Sequence, residues 1–396
     1  MNITLYDYQT PHLENIKEKF LTEKIIFDLS IMGSGKSMVM GKLSEEYDFV
    51  LVITYPNIIN HSWTLLREKY KLNIEFLSIN ILRGMKSSPL NHSYLTREDT
   101  YKNTIFKSSQ EWANLCAKKT LLIIDEVQMI KNRNIGFYAV HELIKEIRES
   151  KNSRCILMSG TPIDNTAQIQ NYIKLTGITE EFDNLCVKME PPPHKHKING
   201  YYIYKSIDAK YAPDKDTDIK TYLNKLELYK ANLFCEEVKK IYYECPNAKI
   251  ILSLFFIDAI NRCAEILKVY KPTIILGETK HMDRTAILAR FNKPNNDLRI
   301  LIANTSIIST GINLDDEDGN YPRYFVMSPN HMIMVIHQLQ YRILRANTKS
   351  DGEIRIVLCK EIDEREIIES MYLKSETMSI YTHGTIFPAN FETINC

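Results

Sequence analysis

Apolar residues in the first half of the chain cluster in short runs separated by segments of helical spacing. Ile25–Leu29, Phe49–Thr54, Thr120–Ile124 and Cys155–Met158 read as strands, while segments from Lys36, over Asn57–Tyr70 and over Ile163–Leu175 read as helices. Strands alternating with helices predict a parallel sheet and an α/β domain that ends near Gly177. The pattern breaks at Pro191, Pro192 and Pro193. A His/Lys-rich segment follows, His194–Lys197, then Tyr201, Tyr202 and Tyr204 and a charged helix-like stretch over Ile219–Tyr242. This region predicts a connector with some structure of its own. Alternation restarts with Lys249–Phe256, Asp258–Val269, Thr273–Leu276, Met282–Phe291, Leu298–Ala303 and Tyr324–Met327, predicting a second α/β domain. The expected division is 1–180, a connector over 181–246, 247–372, and an irregular tail over 373–396.

With 396 residues, 44% of them hydrophobic and 25% charged, the chain is long enough for two cores and falls outside the disordered and fibrous classes. The longest apolar stretch, Ile250–Ile260, contains Asp258 and is far shorter than the ~20 residues that span a bilayer. The first residues carry no basic leader or apolar signal, so a reducing, intracellular compartment is expected. The eight cysteines are scattered with no C-x-x-C pair, which signals neither zinc nor a disulfide framework and fits buried apolar roles. A net charge of +1 excludes a histone-like polycation and leaves room for a local basic groove.

Two strings carry chemistry. Met32-Gly33-Ser34-Gly35-Lys36-Ser37 follows an apolar strand and opens a helix, the setting of a phosphate-cradling loop. Glycines bring backbone N–H groups close to an anion, the helix N-terminus adds its dipole, Lys36 supplies a cation for the β- and γ-phosphates, and Ser37 is placed to hold Mg²⁺. Ser30 stands where G-x-x-x-x-G-K-[ST] has its first glycine. The second string, Leu121–Gln128, is an apolar strand ending in Asp125 and Glu126, at the strand end where open α/β sheets bind ligands. There Asp125 suits Mg²⁺ and Glu126 suits polarisation of an attacking water.

Further strings follow in a fixed order: Tyr8-Gln9, Tyr55-Pro56-Asn57 through Trp63, Asp125–Asn132, Ser159–Asn165, Gly277-Glu278-Thr279 with Arg284 and Phe291-Asn292, Thr310–Leu314, and Gln338–Arg345. This order resembles superfamily 2 helicases and translocases, and its local detail is most similar to the Swi/Snf-type branch of duplex-DNA translocases. The resemblance runs from Tyr8 to about Arg345. It implies two RecA-like parallel-sheet domains with a connecting insert and ATP bound between two lobes. In that scheme Asp125, Glu126 and Gln128 belong to the acidic motif, Gly311 joins the nucleotide-binding residues, and Gln338 lies near the γ-phosphate.

The same resemblance makes Arg342 and Arg345 the arginines that stabilise charge on the transferring phosphoryl group, an effect worth about 10³–10⁵ in rate, or ~4–7 kcal/mol. It makes Gln9 the reader of adenine, and Ser159 and Thr161 the coupling residues between nucleotide and nucleic-acid track. Nucleic acid, DNA in preference to RNA, is expected across both lobes on phosphate contacts from Asn57, Ser108, Thr305, Ser309 and Thr310. The basic segment His194–Lys197 is open to two readings, a solvated linker or a platform for phosphate or base stacking. Tyr341 departs from the branch, replacing the glycine that usually precedes the first of the two arginines. Two rival classes remain open at this stage: a nucleic-acid-binding regulatory scaffold without productive hydrolysis, and a small-molecule kinase, which would not need the second domain.

Overall fold

The computed structural model describes residues 2–86, 88–101, 103–178, 181–190, 195–207, 213, 218–309, 311–381 and 391–395. The chain divides into two compact units, Met1–Pro192 with Thr377–Gly384 and Pro193–Glu376 with Thr385–Cys396. Each unit is an open parallel sheet covered by helices, the architecture of a RecA-like domain.

The first unit contains strands β1 (Ile25–Asp28), β2 (Phe49–Thr54), β3 (Glu75–Ser78), β4 (Leu95–Asp99), β5 (Thr104–Ser108), β6 (Thr120–Asp125), β7 (Arg154–Met158) and β8 (Cys186–Val187). Six of them form one sheet in the order β3-β2-β6-β7-β1-β8, with every pair parallel. Strands β4 and β5 form a separate antiparallel hairpin. The central strands are continuous apolar runs because both of their faces are buried. Strand alternation divides their side chains: Phe27, Ile53, Ile124 and Leu157 enter one core with helices Gln110–Ala117 and Ile135–Glu149, whereas Ile26, Val52, Ile123 and Ile156 enter the other with helices Gln9–Thr22 and Lys36–Ser44.

Sheet order does the work of assembling a site. Strands β6, β7 and β1 are neighbours, and Met158 is in register with Asp125 on one side and Asp28 on the other. The three loops that leave these strands therefore emerge side by side, although 97 residues separate Asp28 from Asp125 in sequence.

The second unit holds β9 (Ile198–Lys205), β10 (Lys249–Leu254), β11 (Thr273–Ile275), β12 (Ile300–Asn304), β13 (Arg323–Met327), β14 (Gly352–Cys359) and β15 (Glu392–Asn395), in the order β11-β12-β10-β13-β14-β9-β15. All these pairs are parallel. Its core is built from β10, β12 and the helices Ala231–Glu244 and Ile257–Ile266, with Phe234, Val238, Ile260 and Cys263 fully buried against Ile250, Leu252 and Ile302. A buried Lys230–Glu364 pair at 2.7 Å and a Glu237 carboxylate shared by Arg355 and Lys205 tie helix Ala231–Glu244 and the turn before it to β9, β14 and the segment after it.

Two stretches pair with strands remote in sequence. In the region read as a connector, β8 pairs with β1, while β9 pairs with β14 from Ile198↔Gly352 to Lys205↔Cys359. Within it, His196 and the Lys197 N–H both engage Asp351, at 3.2 and 3.1 Å; Pro191–His194 lie outside the described residues. The expected irregular tail, 373–396, holds the end of helix Arg365–Ser379 and β15, and the latter extends the second sheet beyond β9. Periodicity misses such elements because their pairing partners are remote in sequence. Among the described residues no helix is long and apolar enough to cross a membrane.

The attachment of β15 gives a test. A Cβ at Gly200 would lie 1.9 Å from the Phe391 ring. Gly200→Ala is expected to destabilise the second unit by about 1–3 kcal/mol through overpacking. Urea unfolding and hydrogen exchange over 392–395 would measure this, and Gly200→Ala with Phe391→Ala should recover most of the loss.

Candidate active site

The loop between β1 and helix Lys36–Ser44 is shaped by a carboxylate beneath it. Asp28 is fully buried and accepts from the Ser30 N–H at 3.0 Å, from the Ser30 hydroxyl, and from His12 Nε2 at 3.0 Å. Burial opposes its ionisation, yet His12, Lys36 and Ser30 together hold its carboxyl below the usual carboxylate range. Ser30 in turn accepts from the Met189 N–H at 2.8 Å, which locks the segment after β8 to the loop. The serine in the place of the first motif glycine is thus a structural anchor.

Gly33 and Gly35 have φ of 78° and 85°, and Gly35 leads directly into the helix. Only glycine adopts the Gly35 geometry without strain, and a Cβ there would also meet the Gln9 amide at 2.2 Å. Lys36 folds back over the loop, donating to the carbonyls of Ser30 at 2.7 Å and Ile31 at 3.0 Å. The hydroxyl of Ser37, the second residue of the helix, makes no hydrogen bond to any described residue. Gln9 is buried; its amide donates to the Ser34 carbonyl at 3.0 Å and accepts from the Tyr6 N–H at 3.0 Å. The structure therefore places Gln9 against the glycine-containing loop after β1, with Tyr8 donating to the same carbonyl at 3.2 Å.

The acidic motif leaves β6 with a strained turn. Glu126 has φ 61° and ψ 55°, a left-handed conformation that is unusual for a residue with a Cβ and typical of functional sites. This turn separates the two carboxylates. Asp125 stays nine-tenths buried at the strand end and accepts from the Trp63 indole N–H at 2.8 Å. Burial and the neighbouring Glu126 push its carboxyl up to about 7. Trp63 reaches it because the helical segment after β2 contains a π-turn, Ile59–Trp63, an irregularity that recurs at functional sites.

From Glu126 a line of hydrogen bonds crosses to the next strand. Gln128 Nε2 donates to Glu126 Oε2, Ser159 Oγ donates to Gln128 Oε1 at 2.7 Å, and Ser159 Oγ accepts from the Thr161 N–H at 2.9 Å. Ser159 N–H also donates to the Asp28 carbonyl at 3.1 Å. Gly160 lies against the loop after β1 so closely that a Cβ would sit 2.6 Å from Met32 Cγ and 2.8 Å from the Met32 backbone nitrogen. Glu126, Gln128, Ser159 and Thr161 are thus joined by hydrogen bonds across two neighbouring strand ends, and Gly160 abuts the loop that leads to Lys36.

In the second unit, the segment after β12 and helix Ile333–Ile343 form another cluster. Arg342 Nε donates to the Ser309 carbonyl at 2.8 Å, and Arg342 and Arg345 both reach the Ile312 carbonyl, at 3.4 and 3.3 Å. Gly311 has φ 68° between them. The Arg345 Nε is buried and has no hydrogen-bond partner among the described residues. Tyr341, in the position usually held by glycine, is buried edge-on to His337 at 5.4 Å and acts as core; burial lowers His337 to about 4, so its ring stays neutral.

No protein-family model matches the chain and no curated protein matches it in sequence. Among solved structures it is similar to a DUF1998 helicase, MrfA, crystallised bound to DNA, with a TM-score of 0.58 and 12% identity. The similarity covers 93% of this chain and 48% of that one, so the chain spans about half the length of the helicase. The fold is helicase-like.

Within this helicase-like fold the nucleic-acid candidates are dispersed. Asn57 follows β2 on the short helix Pro56–Ile58. Ser108 ends β5 and donates to Glu146 on helix Ile135–Glu149. Thr305 is fully buried with its hydroxyl 2.9 Å from that of Ser253, so it fastens β12 to β10 instead of facing solvent. Ser309 is also buried, its hydroxyl donating to the Ser306 carbonyl at 3.2 Å, while Gln338 is buried on helix Ile333–Ile343. Thr310 lies outside the described residues.

Sequence reasoning missed His12, Asp28 and the role of Trp63. An aspartate closing an otherwise apolar strand, Ile25-Ile26-Phe27-Asp28, is the signal that pointed to the first two. Asp125 supplies a test by pH. Because its folded-state carboxyl is raised above the ordinary value of 3.8, the native state holds more protons than the unfolded state up to about 7. Its contribution to stability is therefore lost as pH rises through that window. Asp125→Asn should match the parent protein near pH 4 and exceed its melting temperature at pH 8; equal melting temperatures at pH 8 would remove the assignment.

Proposed function

We propose that the chain is a nucleic-acid-stimulated ATPase of the helicase or translocase type, acting on DNA. The observation that carries this reading is the hydrogen-bond line Glu126–Gln128–Ser159–Thr161. It begins at the carboxylate suited to water activation and ends in the Ser159-Gly160-Thr161 segment, which also touches the phosphate loop at Met32. A small-molecule kinase has no use for such a line, whereas a motor must transmit the state of its nucleotide to a distant track.

The residues present fit a nucleoside triphosphate and Mg²⁺. Gly35 bends the loop toward a helix N-terminus, Lys36 is already folded over it, the Ser37 hydroxyl is uncommitted among the described residues, and Asp125 stands at the end of β6, two strands along the sheet from β1. The loop backbone, Lys36 and Ser37 would hold ATP, and Ser37 with Asp125 would hold the ion, which supplies charge neutralisation on the phosphate oxygens. Glu126 orients the attacking water and accepts its proton, with Gln128 fixing one carboxylate oxygen. Arg342 and Arg345, pre-set on the Ile312 carbonyl, stabilise developing negative charge. Asn57 and backbone N–H groups at the strand ends contact DNA phosphates, a sequence-independent and salt-sensitive mode. The DNA-bound helicase of similar fold supports the choice of DNA.

An ATPase assay with duplex DNA, single-stranded DNA and RNA as activators, at two salt concentrations, tests this. DNA should activate and the activation should weaken with salt. Lys36→Ala and Glu126→Gln should abolish turnover with the fold intact, and Arg342→Ala should lose about 10³–10⁵-fold. Ser159→Ala should keep basal hydrolysis and lose most of the stimulation. Normal turnover by Glu126→Gln would sink the site, and activation by RNA alone would replace the substrate.

A further inference from the structure

A second feature of the first unit lies away from the phosphate loop. The β4–β5 hairpin and helix Ile135–Glu149 enclose a cleft of about 760 Å³, within the size range of sites that bind extended ligands. Three consecutive residues of β5, Thr104, Ile105 and Phe106, line it. Consecutive residues on one wall mean that the strand presents its backbone edge, since side chains alone would alternate.

The hydrogen-bond register identifies that edge. Ser109 N–H donates to the Tyr94 carbonyl and Thr100 N–H to the Asn103 carbonyl, so residues 103, 105, 107 and 109 face β4. Thr104 and Phe106 therefore turn their N–H and C=O groups away from β4, and among the described residues these groups have no hydrogen-bond partner; Phe106 is buried at 4% exposure, so the accessible part of the edge is at Thr104. A two-stranded hairpin with one open edge is an incomplete sheet.

The opposite wall is apolar and then basic. Ile135 and Tyr138 on the helix, and Ile105 on the strand, are 44%, 47% and 44% exposed. Lys86 and Arg133 supply two cations against one carboxylate, Glu142, which already has His141 at 3.4 Å. We infer that this cleft binds an extended acidic peptide segment of a partner protein, which adds a third strand along β5, sets aliphatic side chains against Ile105, Ile135 and Tyr138, and places carboxylates near Lys86 and Arg133. Open backbone donors and acceptors favour a peptide over a nucleic acid, whose backbone carries no N–H donors to pair with a strand edge.

The test uses the full chain and a dye-labelled hexapeptide of alternating glutamate and valine, followed by fluorescence anisotropy. Saturable binding is expected. Affinity should drop at least tenfold when the glutamates are replaced by lysines, or when alternate peptide amides are N-methylated. Tyr138→Ala and Arg133→Glu, both at surface positions, should each weaken it at least tenfold. Thr104→Pro removes the outward N–H while sparing the bonds to β4, and should do the same; Tyr138→Ala carries the test if the hairpin does not tolerate the proline. Bound peptide should also slow amide exchange over 103–108. Absence of binding at millimolar peptide, indifference to N-methylation and to Tyr138→Ala, or displacement by an oligothymidylate would each overturn the proposal, the last by making the cleft a nucleic-acid surface.

Discussion

Burying a carboxylate without compensation is unfavourable by several kcal/mol, and at the end of β1 the compensation is what gives the neighbouring loop its form. Asp28 collects the Ser30 N–H, the Ser30 hydroxyl and His12, and Ser30 passes the constraint to Met189. The loop Ser30–Gly35 is therefore held from below by a network of the protein's own side chains. Its outer rim, Gly33 to Lys36, is glycine-rich backbone with the Lys36 ammonium folded onto the Ser30 and Ile31 carbonyls. A rigid base with a donor-rich rim is the arrangement that binds anions without a large reorganisation cost.

The same economy governs the rest of the first unit. Parallel pairing of β6, β7 and β1 in register brings Asp125, Met158 and Asp28 into one row. Each exit loop then needs to travel only one strand spacing to meet the next. That is why the Gln128 side chain can bridge Glu126 to Ser159. The left-handed backbone of Glu126 is sustained by this surrounding set of bonds.

Much of this was legible in the residues. Runs such as Leu121-Leu122-Ile123-Ile124 and Lys249–Leu254 announce strands buried on both faces, and glycines before Lys36 announce a turn into a helix. What stayed hidden depended on long-range pairing. Cys186-Val187 becomes a strand only because β1 has an open side, and Ile198–Lys205 only because β14, more than 140 residues later, runs beside it. Trp63 showed no sign of its indole bond because the π-turn that aims it leaves no mark in the spacing of apolar residues. Thr305 looked like a surface hydroxyl at a strand end, and its pairing with Ser253 across two strands is invisible without the sheet order.

Gly160 illustrates how unequal neighbouring positions can be in their freedom to drift. Of the two Met32 atoms that crowd it, one belongs to a pliable side chain that a smaller residue could withdraw, but the other is main-chain nitrogen. No exchange at position 32 clears that atom. Over generations position 32 can wander among shapes, whereas position 160 is confined to the one residue that lacks a side chain, whatever happens beside it.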